Sequence, residues 1–201
     1  MHRIYKCMIL FLWFICLNCL WFVKPLSENL SYLGNGLHMR SYVLLWAITC
    51  AMCFYIFTMK WIKNIQYTHK AGKILLLLCC LGMVISVCLP YAPYEYAELS
   101  KWHVRLAMLS TTLYILIVFH ILYTLQKSNI LLFQKAFKPY LYIVILDLFL
   151  YVLYGSVSTL LEISFPMAMV IYLYVQILYS EKKNPSWYFF INIIGFFFNI
   201  I

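Results

Sequence analysis

The stretch YEYAELSKWHVRLAMLSTT carries two carboxylates, Glu95 and Glu98, an imidazole, His103, and a guanidinium, Arg105, in close succession. Further along, GSVSTLLEIS supplies Ser158 and Glu162, and near the start PLSENLSYLGNGLHMR supplies Glu28, His38 and Arg40. Carboxylate, imidazole and guanidinium together can hold a lipid headgroup or a metal ion; the plainer reading of the same residues is a solvated face. A second candidate is a pair, His120 and Asp147, each inside an otherwise apolar run. A buried charge needs a partner. Counting about 1.5 Å per residue from Gln126 and Tyr140 puts both groups at nearly the same depth, so a His120 to Asp147 hydrogen bond is expected. Such a pair either ties two helices together or relays protons or binds a ligand.

Motifs that would make these residues catalytic are absent. The sequence holds no H-E-x-x-H, no H-x-x-x-H, no G-x-S-x-G and no phosphate-binding glycine loop. No catalytic residue, metal or cofactor is therefore expected.

The elements that must position these groups follow from hydropathy. Of 201 residues, 66% are hydrophobic and 10% are charged, against about 25% charged in an ordinary soluble domain. The apolar residues gather into uncharged runs, and at about 1.5 Å per residue a run near 20 residues crosses a hydrocarbon core of about 30 Å. The sequence predicts an all-α polytopic helical bundle with six spans, at 7–23, 41–59, 74–90, 105–126, 139–156 and 161–180. The first run ends in Trp21, Phe22, Val23 and Lys24 rather than in a small-x-small cleavage site, so it reads as a retained span. Residues 1–183 form one transmembrane domain. Residues 184–201, with Asn192, Gly195 and Asn199 on one helical face, form an interfacial helix or a short seventh span.

Charge orients the bundle. Arg3, Lys6, Lys60, Lys63, Lys70, Lys73, Lys127, Lys135, Lys138, Lys182 and Lys183 fall on one side, and Lys24, Arg40, Lys101 and Arg105 on the other. The positive-inside rule then places the amino terminus in the cytoplasm and makes Pro25 to Arg40 the first outward loop. The net charge of +9 belongs to this pattern, and no nucleic-acid partner is expected because the basic residues form no stripe interleaved with stacking aromatics. All eight cysteines lie within or beside apolar runs. Cys16-x-x-Cys19 and Cys50-x-x-Cys53 have redox or metal spacing, but in hydrocarbon they read as small core residues.

In order and placement these features resemble the six-span superfamily of DRAM-like proteins with their Frag and Sfk relatives, and similar bacterial membrane proteins. The residues that carry the resemblance are Pro25, Ser27, Ser31 and Gly34 in PLSENLSYLGNG, Gly82 in CCLGMVIS, His103 opening span four, and Ser158 and Glu162 opening span six. The chain departs from that pattern in lacking an aspartate before the loop glycine and a tryptophan after Glu162, and in its aromatic tail. The resemblance implies a non-enzymatic membrane protein whose first outward loop packs over the span-four histidine, with Gly34 and Gly36 making its tight turns. The expected partners are membrane lipids, with another membrane protein as a further candidate. The expected setting is the cell membrane of a bacterium, or the plasma membrane or an endomembrane of a eukaryote. Two other functions compete: a membrane-embedded metal-dependent hydrolase, which the division of the five histidines between both sides disfavours, and a proton-coupled carrier using His120 and Asp147.

Overall fold

The structure, a computed structural model, describes residues 2–181; the expected helix at 184–201 lies outside the described residues, as do Lys182 and Lys183. Among the described residues there are six helices long and apolar enough to cross a membrane, and no strand. They are α1 (His2–Cys19), α2 (Arg40–Asn64), α3 (Lys70–Cys88), α4 (Ala97–Ser128), α5 (Ile130–Tyr154) and α6 (Thr159–Ser180). Each connection is short enough to reverse the chain, so the helices alternate in direction. One end of the bundle carries residues 20–39, called here loop one, and the opposite end carries the α2–α3 and α4–α5 turns.

α6 is the hub. It packs on α1, α2 and α5, while α2 also holds α1 and α3, and α4 bridges α3 to α5. The burial of their most apolar segments follows this arrangement: 78% of that segment is buried in α6 but only 11% in α5. α5 therefore turns Ile145, Leu146, Leu148, Phe149, Val152 and Leu153 outward. An apolar face of this kind fits contact with hydrocarbon or with a partner surface.

Close approach between helices depends on small residues, as in membrane bundles generally. A Cβ at Gly82 of α3 would collide with the Ser110 hydroxyl of α4. Deeper in the core, Thr58 and Tyr114 join α2 to α4 through a 3.0 Å hydroxyl pair, and Phe54 stacks on Tyr114 with centroids 4.5 Å apart. The eight cysteines are free thiols. Cys16 and Cys50 meet across the α1–α2 contact, yet among the described residues no three His, Cys, Asp or Glu side chains are placed to hold a metal.

Several helix boundaries differ from the hydropathy reading: α1 starts at His2 rather than 7, α2 runs on to Asn64 rather than 59 and α3 starts at Lys70 rather than 74, and three further differences matter more. α1 stops at Cys19, and the next three amides close turns onto Leu17, Asn18 and Cys19. α4 begins at Ala97, eight residues before the expected start at 105. Its 32 residues reach roughly 48 Å, so Glu98, Lys101 and Arg105 ride on a helical extension rather than in a loop. α5 begins at Ile130, where the side chain of Asn129 accepts from the Leu132 amide at 3.1 Å as an N-cap. It then runs through Lys135, Lys138 and Pro139. Lysines mislead a charge-based boundary because the stem lies along apolar surface while the ammonium reaches outward; Lys135 places its ammonium 5.2 Å from the Tyr179 ring.

Candidate functional site

Loop one folds back over the bundle and is fastened at several points. Its amino-terminal half meets the start of α6: Thr159 donates to the Glu28 carbonyl through its amide at 2.7 Å and its hydroxyl at 2.9 Å, and the Leu160 amide donates to the Pro25 carbonyl at 2.9 Å. The Leu30 amide donates to the Glu162 carboxylate at 2.6 Å. A carboxylate one turn into α6 thus serves as the acceptor for a loop amide that would otherwise be stranded. Ser158, expected in the polar cluster, is instead the buried N-cap of α6. On its other flank, Arg40 donates to the Cys88 carbonyl at the end of α3.

The centre of the fastening is His103. Its Nδ1 lies 2.7 Å from the Ser86 carbonyl and 3.2 Å from the Leu89 carbonyl, and its Nε2 lies 2.9 Å from Ser31 Oγ. A carbonyl can only accept, so Nδ1 carries the proton and Nε2 presents a lone pair. The Ser31 hydroxyl must then donate to it. Three segments, loop one, the end of α3 and the start of α4, converge on one buried imidazole, and the Tyr91 ring packs 5.4 Å from it. A hydroxyl donating to an imidazole whose other nitrogen is fixed by an oxygen is also the geometry of a nucleophile and its general base.

The loop's shape comes from a π-helical turn, Tyr32–Gly36. Neither Gly34 nor Gly36 takes a left-handed conformation; among the described loop-one residues that backbone belongs to His38, with φ 58°. Gly36 is needed for a different reason: a Cβ there would sit 2.6 Å from the Tyr32 ring. Gly34 is buried against Val43. Ser27 closes a turn onto Lys24, and Glu28 also accepts from the Lys24 amide at 2.7 Å.

Not every expected member joins the cluster. Glu98 pairs with Lys101 at 2.6 Å on the exposed face of α4, Arg105 lies over the Trp102 ring at 5.7 Å, and Glu95 and His38 are exposed. These side chains are exposed and take no part in the fastening. His103 and Glu162 form the seat under loop one. The Ser86 and Leu89 carbonyls that orient the imidazole carry no sequence signal, because any residue supplies a carbonyl.

The His120 to Asp147 pair does not form. His120 Nδ1 is bonded to the Tyr67 hydroxyl at 2.8 Å, and Asp147 accepts from Ser164 at 3.2 Å. The early start of α5 is the reason. Asp147 lies 17 residues beyond Ile130, about 25 Å along the helix, whereas His120 lies eight residues before Ser128, about 12 Å from the same end of the bundle. Tyr67 was missed because it sits in a turn, YTHK, with no periodicity to mark it.

Comparison with family models, with curated proteins and with solved structures found no match to this chain.

Proposed function

We propose that this is a non-enzymatic, six-span membrane protein that recognises a lipid headgroup at its outward face, beside loop one. The observation that supports the reading is the fastening of loop one. Residues from α3, α4 and α6 hold it through His103 and Glu162, which makes a fixed surface of a segment that would otherwise be mobile. Beside that seat stand exposed Trp102, with Arg105 over its ring, and Lys101. Guanidinium and ammonium groups next to an interfacial indole suit a phosphodiester headgroup. The outward orientation rests on the basic residues gathered at the opposite end.

The test is native mass spectrometry of the detergent-purified protein against His103→Ala and Glu162→Ala, with thermal melts to confirm folding. Phospholipid adducts retained by the wild type and reduced at least fivefold in both folded variants are expected. Identical adduct spectra in all three would reject the reading.

One observation favours a second reading, in which the seat performs acyl transfer: the Ser31 to His103 pair has the arrangement of nucleophile and base. A fluorophosphonate adduct on Ser31 that is lost in His103→Ala would replace binding with chemistry.

A further inference from the structure

At the end of the bundle opposite loop one, a cavity of about 180 Å³ opens between the α2–α3 turn and the last two turns of α4, lined by Ile65, Gln66, Tyr67, Thr68, His69, Thr124, Leu125 and Ser128. That is several times the roughly 30 Å³ share of one water. Its walls are built. Tyr67 is buried and reaches across α3 to His120 on α4, a path left open only because residue 72 is glycine: a Cβ there would collide with the Tyr67 hydroxyl. The turn amide of Tyr67 is tied back to the Ile62 carbonyl at 2.9 Å, and Gln66 is held left-handed at φ 57°. His120, Thr124 and Ser128 follow one another at i, i+4 and i+8, so they line one stripe of α4.

Burial raises the Tyr67 phenol above its ordinary value, so it remains a hydroxyl. The His69 ring packs 5.1 Å from that of His120 and 5.2 Å from that of Tyr67, yet His69 makes no hydrogen bond among the described residues. The cavity is therefore rich in polar groups, and one of its imidazoles is available.

Its electrostatics select the ligand. No carboxylate lines it. The chain's carboxylate at this end, Glu181, sits at the α1–α2 corner with His2 at 3.1 Å and Lys60 at 3.0 Å. Lys70 follows His69 directly and Lys127 precedes Ser128, with Lys63 just before the turn. The Thr124 and Ser128 hydroxyls donate to carbonyls of their own helix, so the donors left to a ligand are the Gln66 amide, the Thr68 hydroxyl and the His69 imidazole; a cavity with these donors and no carboxylate suits a hydrogen-bonding anion.

We infer that this cavity is a second binding site, distinct from the loop-one seat, and that it takes a phosphate group, presented by an anionic lipid headgroup or by a free phosphate. His69, Gln66 and Thr68 face the anion, Ser128 stands at its mouth, and His120 acts as a positioning residue through Tyr67. The inference does not depend on what binds at loop one.

The experiment titrates the full chain in detergent with phosphatidic acid or phosphatidylcholine and counts adducts by native mass spectrometry, for wild type, His69→Ala, Ser128→Leu and Leu148→Ala. The wild type is expected to bind phosphatidic acid at least tenfold more tightly than phosphatidylcholine. Both cavity variants should lose at least tenfold, while Leu148→Ala, on the outward face of α5 and away from both sites, keeps wild-type affinity. Ser128→Leu fills the mouth without touching the Tyr67 to His120 bond, so its loss reports the cavity rather than unfolding. Displacement by millimolar inorganic phosphate identifies a soluble source, and resistance to it identifies the headgroup; both support a phosphate site. Equal binding of the two lipids, or unchanged affinity in a folded Ser128→Leu, overturns the inference.

Discussion

Replacing His103 with leucine keeps the bulk of the side chain and removes every polar contact at the centre of the loop-one fastening. Two bonds of ordinary length are lost, to Ser31 at 2.9 Å and to the Ser86 carbonyl at 2.7 Å, with the 3.2 Å approach to Leu89 counted as part of the second. An intramolecular hydrogen bond contributes about 0.5–1.5 kcal/mol net, and bonds between helices in membrane bundles average about 0.6 kcal/mol. The substitution therefore weakens the closed loop by about 1–3 kcal/mol, a factor of roughly 5 to 150 in its opening equilibrium. Ser31→Ala removes one of the two and should give the smaller effect, about three- to tenfold. Hydrogen–deuterium exchange read on peptides covering residues 20–40 measures opening directly, since amide exchange follows local opening free energies. The expected pattern is faster exchange in loop one and around Ser86 to Leu89, ordered His103→Leu above Ser31→Ala above wild type, with peptides around Tyr67 unchanged. Unchanged loop exchange in a folded His103→Leu protein, or equal acceleration throughout the bundle, would refute the argument that this imidazole fastens the loop.

Gly82→Ala should destabilise by about 1–3 kcal/mol through overpacking against the Ser110 hydroxyl, and Ser110→Ala in the same chain should recover most of the loss in a thermal melt. Because His120 and Asp147 have different partners, the melting effects of His120→Ala and Asp147→Asn should add within about 0.5 kcal/mol; a larger coupling energy would restore the pair that the structure separates. Cys88 is exposed at the loop-one end of α3, so a membrane-impermeant maleimide applied to intact cells should label the wild type and not Cys88→Ser, and labelling only after lysis would invert the proposed orientation.

The long apolar helices were legible in the sequence because their uncharged runs are long, and α2, α3 and α6 cover those runs, with α2 continuing past its run to Asn64. Their ends were not, because helices continue past the apolar stretch whenever a cap such as Asn129 and flexible cations such as Lys135 and Lys138 permit it. That misreading moved Asp147 to the wrong depth and created a false partner for His120. The loop-one seat was half legible. His103, Glu162 and Ser31 stand out by type, but one of the imidazole's fixed partners is a backbone carbonyl, and Glu162 serves a backbone amide. Periodicity reports which face of a helix is buried; it says nothing about which distant carbonyl will come to rest against it.

The fastening of loop one also has a chronology. Leu30 and Glu162 are separated by 132 positions, and Ser31 and His103 by 72. A ribosome adding about 5–20 residues per second needs on the order of ten seconds to make the partner that Leu30 awaits. Throughout that interval the first loop, though among the earliest segments synthesised, has its Glu28 carbonyl and Leu30 amide unmet and waits in water. The loop that is made nearly first is thus fastened only when α6 arrives, and a nascent chain halted before Thr159 would carry every described helix but one and no closed loop-one face.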